Sequence, residues 1–302
     1  MMKTVLRLLI TLLVFALILR SVNLSNLADT LKQIEAGPLV LAVLLQFAST
    51  VLAALRWRLV MQRLEFGQDT WFYVKSYFKG MFFNQGLPTS IGGDAIRVLD
   101  VARQGFRKRE SFYGVASDRI IGLAALLLLN LLASLALPHT LPKQVFVPIA
   151  LLVGAGLIGF GALFFFRRLH WFSRWPVMNL LPILSERMHR IFHAPGASVV
   201  IVLLSLVIHL LAVLSIYCIG LSVDLPYGPL TYLVIVPPVI LLTIVPVSLA
   251  GWGVREGGMV GLFALIGAAK AAVLTMSIVY GLILILVSLP GLVVYLTGKH
   301  HL

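Results

Sequence analysis

The chain has 302 residues, 60% of them hydrophobic and only 12% charged, well above the apolar share of a soluble domain. So few charges cannot coat a globule of this composition, which excludes a soluble domain and makes lipid the solvent for most side chains. The net charge of +13 comes from Lys and Arg gathered between apolar runs, as on cytoplasmic loops, and not from a nucleic-acid-binding face.

Met1–Arg20 carries Lys3 and Arg7 ahead of an apolar core with no small-residue cleavage site after it, and reads as an uncleaved first span at 4–22. Segment 23–37 balances Lys32 against Asp29 and Glu35 and lies outside. A second span covers 38–56, after which Arg56, Arg58 and Arg63 place 56–70 inside. The stretch 71–105 is apolar but broken by Pro and Gly, and basic residues flank its first part on both sides. It should enter the membrane from the cytoplasm and return there as a re-entrant hairpin. Spans follow at 112–137 and 144–166.

The loop 167–197 mixes Arg167, Arg168, Arg174, Arg187 and Arg190 with Trp171, Phe172, Trp175 and Met178. That composition suits a helix lying on the membrane surface, or a basic loop with aromatic anchors. A span at 198–220, a second broken segment at 229–268 and a last span at 270–296 complete the chain. Alternation leaves both termini in the cytoplasm of an inner-membrane protein. The single cysteine, Cys218, excludes an intramolecular disulfide.

The two broken segments resemble each other. Leu-Pro-Thr-Ser-Ile-Gly-Gly-Asp-Ala-Ile-Arg at 87–97 aligns with Val-Pro-Val-Ser-Leu-Ala-Gly-Trp-Gly-Val-Arg at 245–255. Pro88 matches Pro246, Ser90 matches Ser248, Gly93 matches Gly251 and Arg97 matches Arg255. The chain thus reads as two repeats, 1–137 with hairpin 71–105 and 138–302 with hairpin 229–268. Each contains three spans, an odd number, so the second must be inverted relative to the first, an arrangement associated with transporters.

Pro88 and Pro246 should end a half-helix, while Gly92, Gly93, Gly251 and Gly253 permit the reversal. A second half-helix then begins near Ala95 or Val254 with its N–H groups facing the interior, an end that attracts anions. Arg97 and Arg255 lie in the first turns of these half-helices, where a cation calls for an anionic ligand or an internal counter-ion. The internal alternative is that Asp94 neutralises Arg97 and Glu256 pairs with Arg255. Asp118 and Arg119 either line the cavity or snorkel to the interface. His209 reads as a proton relay or as a hydrogen bond to a neighbouring helix. His189 and His193 have no third ligand in view, so no metal is expected. Neither a nucleophile–base set nor a phosphate loop is present, so neither catalysis nor a cofactor is expected.

Asn84–Gln85–Gly86–Leu87–Pro88, running into Gly92–Gly93–Asp94 and Arg97, then Asp118–Arg119, then Pro246 with Gly251, Gly253, Arg255 and Glu256, resembles the lysylphosphatidylglycerol synthase transmembrane-region family. The resemblance implies a flippase-like membrane region that binds or moves a lipid, here without the cytosolic synthase domain of the full-length enzymes. Other members imply glycosyltransferase or polyprenyl-lipid pathways, and hence a glycosyltransferase or lipid-synthesis enzyme as partner. The expected fold is all-α and polytopic, with about six spans and two re-entrant hairpins in an inverted repeat. Its candidate binding residues are Arg97, Arg255, Asp94, Glu256, Ser90, Ser248, Asn84, Asp118 and Arg119. The expected ligand is an anionic phospholipid or lipid-linked precursor, with an accessory subunit or a lipid-modifying enzyme as the alternatives.

Overall fold

The computed structural model describes residues 34–86, 92–166, 180–245, 248 and 250–298. The predicted span 4–22, the aromatic stretch 167–179 and Pro88, Ser90 and Pro246 lie outside the described residues. Among the described residues the chain forms ten helices and no strand. In chain order these are α1 (Ala36–Arg63), α2 (Thr70–Gly86), α3 (Gly92–Ala102), α4 (Lys108–Ala136), α5 (Lys143–Leu163), α6 (Leu180–Phe192), α7 (Pro195–Ser222), α8 (Pro229–Ile244), α9 (Val254–Ala264) and α10 (Lys270–Thr297).

Helices α1, α4, α5, α7 and α10 are long and apolar enough to cross a membrane. They coincide with the predicted spans at 38–56, 112–137, 144–166, 198–220 and 270–296. A 28-residue helix such as α1 is about 42 Å long, so its ends extend beyond the hydrocarbon layer. The extra length corrects one boundary. Arg56, Arg58 and Arg63 belong to α1 and not to a loop, and Arg56 is buried.

Each Pro/Gly-broken segment is a pair of helices, α2 with α3 and α8 with α9, whose members pack on each other. In the first pair the backbones touch at Gly80 and Gly93, where a Cβ on Gly93 would overlap the Gly80 carbonyl. Gly93 therefore serves close approach within the helix and not a reversal of φ. Gly251 and Gly253, at φ 79° and 82°, do supply the left-handed turn in the second pair.

Helices α1 and α7 pack on each other and run antiparallel. Ser49 Oγ donates to Ile208 O at 2.9 Å and Ser215 Oγ donates to Ala42 O at 2.8 Å, so ascending α1 means descending α7. Ser49 and Ile208 are 159 residues apart, almost the interval between the two Pro/Gly motifs. Helix α2 packs on α10 while α8 packs on α4. Helix α6 turns Leu184, Met188 and Ile191 into a core with Trp57, Tyr73 and Tyr113, so its apolar face is spent on protein and not on lipid.

Pro237 and Pro238 lie inside α8 among buried residues. Lacking N–H groups, they leave the carbonyls of Leu233 and Val234 without their helical donors. The buried Asn130 of α4 replaces both, its Nδ2 donating to Leu233 O at 3.2 Å and to Val234 O at 2.9 Å. Asn130→Leu removes the donors and is expected to destabilise the protein by about 1–3 kcal/mol, seen as a lower unfolding temperature in detergent. An unchanged midpoint would mean that the two carbonyls find other donors.

Candidate functional site

The first hairpin is closed by Asn84 at the end of α2, whose Oδ1 accepts the Gly93 N–H at 2.7 Å. A donor at the start of α3 is thereby satisfied from within the protein. Asp94 follows in the first turn, where a carboxylate suits the positive end of the helix dipole. One turn on, Arg97 Nη1 donates to Asp94 Oδ1 at 3.0 Å and Nη2 to Asp118 Oδ2 at 2.7 Å. Its guanidinium also stacks over Trp57 at 4.0 Å and Tyr77 at 4.8 Å from the ring centres.

Asp118 takes a second arginine as well. Arg56 Nε donates to Asp118 Oδ1 at 3.0 Å, and Arg56 Nη1 to Ser205 Oγ of α7 at 3.3 Å. Gly122, one turn beyond Asp118, leaves space for that guanidinium, since a Cβ there would stand 3.1 Å from both Arg56 Nη atoms. Asp94 in turn accepts from Arg119 Nε at 2.6 Å. The result is one connected cluster of three arginines and two aspartates. All are buried except the Arg119 side chain, which is 47% exposed. Three guanidiniums against two carboxylates give the cluster a net charge of +1 among the described residues.

This cluster borders a cavity of about 460 Å³. Arg56, Asp94, Arg97, Asp118 and Arg119 all line it. Leu123, Leu126 and Ile208 of α4 and α7, with Ile240 and Ile244 of α8, supply apolar lining. The cavity therefore lies where the first hairpin meets the second half of the chain. His209 also lines it, and its Nε2 donates to Gly122 O at 2.8 Å, the interhelical hydrogen bond read as one of its two roles.

The second hairpin is built differently. Glu256 Oε2 accepts the Gly253 N–H at 2.6 Å, while its Oε1 accepts Arg255 Nη2 at 2.6 Å and Ser277 Oγ at 3.1 Å. Arg255 lies over Trp252 at 4.6 Å, and Gly281 leaves room for both groups. Here one cation meets one carboxylate. Arg255 is 5% exposed and Glu256 is fully buried.

Of the residues singled out by sequence, Asp94, Arg97, Asp118 and Arg119 come together, with Asn84 beside them. Arg255, Glu256 and the buried Ser248 belong to the second hairpin, and Arg255 is not among the residues lining the cavity. The structure does not bring Arg97 and Arg255 into one site. Arg56 and Trp57 are site residues that the sequence reading assigned to a loop. The signal available was Trp57, Val60, Met61 and Leu64, apolar at i, i+3, i+4 and i+7, which continues the helical pattern past Arg56. His189, considered as a metal ligand, donates its Nε2 N–H to Phe164 O at 2.8 Å.

A family model described as the lysylphosphatidylglycerol synthase TM region matches residues 4–291. The chain belongs to this family. The motif resemblance at the hairpins thus extends over nearly all the sequence, and the multi-pass membrane character follows from the family and the five apolar helices together. Comparison with individual curated proteins gives no match.

In this family member Asp118 is the residue whose loss leaves most charge stranded. Asp118→Asn is expected to destabilise the fold by about 3–5 kcal/mol, because two buried guanidiniums lose a shared carboxylate. Adding Arg56→Gln should recover part of that loss, measured as a coupling in a double-mutant cycle of thermal unfolding. Strictly additive effects would mean that the pair does not interact.

Proposed function

We propose that the chain is a flippase-like carrier that binds an anionic phospholipid or lipid-linked precursor in the cavity beside Arg97. The observation that carries this reading is a cavity lined both by a charge cluster of net +1 and by apolar side chains. Such a lining suits an amphiphile with an anionic head group, and the volume lies within the range of ligand pockets. Charges at membrane depth are costly and are kept mainly for function. A carrier fits better than a catalyst, because Asp94 and Asp118, the acidic groups of the site, are each held between two arginines.

The antiparallel α1–α7 pair and the exchange of hairpins between the last spans of the two halves support an inverted repeat. In that arrangement α2–α3 and α8–α9 enter the membrane from opposite sides and the basic loops face the cytoplasm of an inner membrane. Movement of one repeat against the other would then open the cavity to alternate faces.

Arg119→Gln tests the reading with little risk to the fold, since it leaves two arginines with two aspartates. Mass spectrometry of lipids retained by the purified protein should show one enriched anionic class, reduced about tenfold in the variant, a loss of about 1.4 kcal/mol. Equal retention by both proteins, or enrichment of a zwitterionic lipid, would remove the cavity reading.

A further inference from the structure

A second cavity, of about 330 Å³, lies between α2, the end of α3 and the last turn of α10. It shares no lining residue with the cavity at Arg97. Lys75, Ser76 and Lys79 of α2 line one side, with Asp100 and Arg103 across from them. Lys79 Nζ pairs with Asp100 Oδ2 at 2.6 Å, whereas Lys75 and Arg103 form no ion pair among the described residues. Both are exposed.

Ser76 supplies an independent sign of a ligand. The residue is 1% exposed, yet among the described residues its Oγ has no hydrogen-bond partner, although serines in apolar helices commonly donate to their own backbone, as Ser117 and Ser205 do here. A buried hydroxyl left without a partner costs about 1–3 kcal/mol, so an acceptor in the cavity is favoured.

The sign of the field follows from the charges present. Three cations face one carboxylate. The carboxyl ends of α3 and α10 also border the cavity, and each contributes about half a negative charge. The balance remains positive by about one charge. Beside the cavity Lys75 lies 6.0 Å from the ring centre of Trp71, which is 65% exposed and of the residue type that anchors at the membrane interface. A basic recess at that level is suited to a phosphate-bearing group.

We propose that this recess is a phosphoryl-binding site, in which Lys75, Lys79 and Arg103 hold the anion and the Ser76 hydroxyl donates to it. The phosphoryl group belongs to a lipid head group or to a small soluble phosphate. The inference does not depend on the carrier reading, because the two cavities are separate.

The test is amine labelling of the intact protein in nanodiscs, read residue by residue by mass spectrometry. Phosphatidylcholine discs are compared with discs also containing phosphatidylglycerol, and with phosphatidylcholine discs in added inorganic phosphate. Lys108, exposed on the same basic end, reports general surface electrostatics, and Lys143 at the other end serves as reference. The expected result is labelling of Lys75 slowed about fivefold more than that of Lys108, with the difference lost in Arg103→Ala and in Ser76→Ala. Protection by phosphatidylglycerol alone assigns a lipid head group, and protection by inorganic phosphate assigns a soluble phosphate. Lys75 slowed no more than Lys108 under either condition, or protection that survives Arg103→Ala, would overturn the proposal.

Discussion

A guanidinium removed from water costs several kcal/mol unless a carboxylate meets it in good geometry. That constraint organises the first half of this protein. Asp118 lies 1% exposed between Arg56 and Arg97, and Asp94 lies between Arg97 and Arg119. Because the five groups come from α1, α3 and α4, satisfying them fixes how those helices sit against one another. Trp57 and Tyr77 then cover the Arg97 guanidinium. The small residues Gly80, Gly93 and Gly122 admit the close approaches that the network requires.

The two helix pairs differ in charge. Where α4 offers Asp118 and Gly122, α10 offers Ser277 and Gly281, each at the interval that separates Ser49 from Ile208. Replacing an aspartate with a serine removes the acceptor that drew in a second arginine, and the second hairpin closes as a neutral Arg255–Glu256 pair. One hairpin thus carries a net charge beside a cavity, while the other is internally satisfied. This asymmetry places the candidate site in the first half, even though its apolar lining is completed by α7 and α8 of the second.

Backbone breaks in an apolar medium set a second constraint, since no water is at hand to satisfy a freed N–H or C=O. Side chains meet the need at three places. Asn84 accepts from Gly93 N–H, Glu256 from Gly253 N–H, and Asn130 donates to the two carbonyls released by Pro237 and Pro238. Asn84 and Glu256 act within their own hairpins, whereas Asn130 reaches α8 from the last span of the other half. The interlocking of the halves therefore secures the break in α8 as well as burying apolar surface.

Five of the spans and the two broken segments were legible along the chain because apolar runs, prolines and glycines act on their immediate neighbours. The start of α9 at Val254 and the pairing of Asp94 with Arg97 three residues on were within reach for the same reason. The more distant partners of the charges were not. Arg56 lies 62 residues from Asp118, and its assignment to a loop rested on local charge alone, which cannot distinguish a lysine-like anchor at an interface from an arginine buried against a distant carboxylate. Likewise the matched motifs implied equal roles for Arg97 and Arg255. By itself the sequence determined that this is a polytopic membrane protein with two similar broken segments. Only the tertiary structure decided which carries a net charge beside a cavity, because pairing energy depends on distances between helices that are remote in the chain.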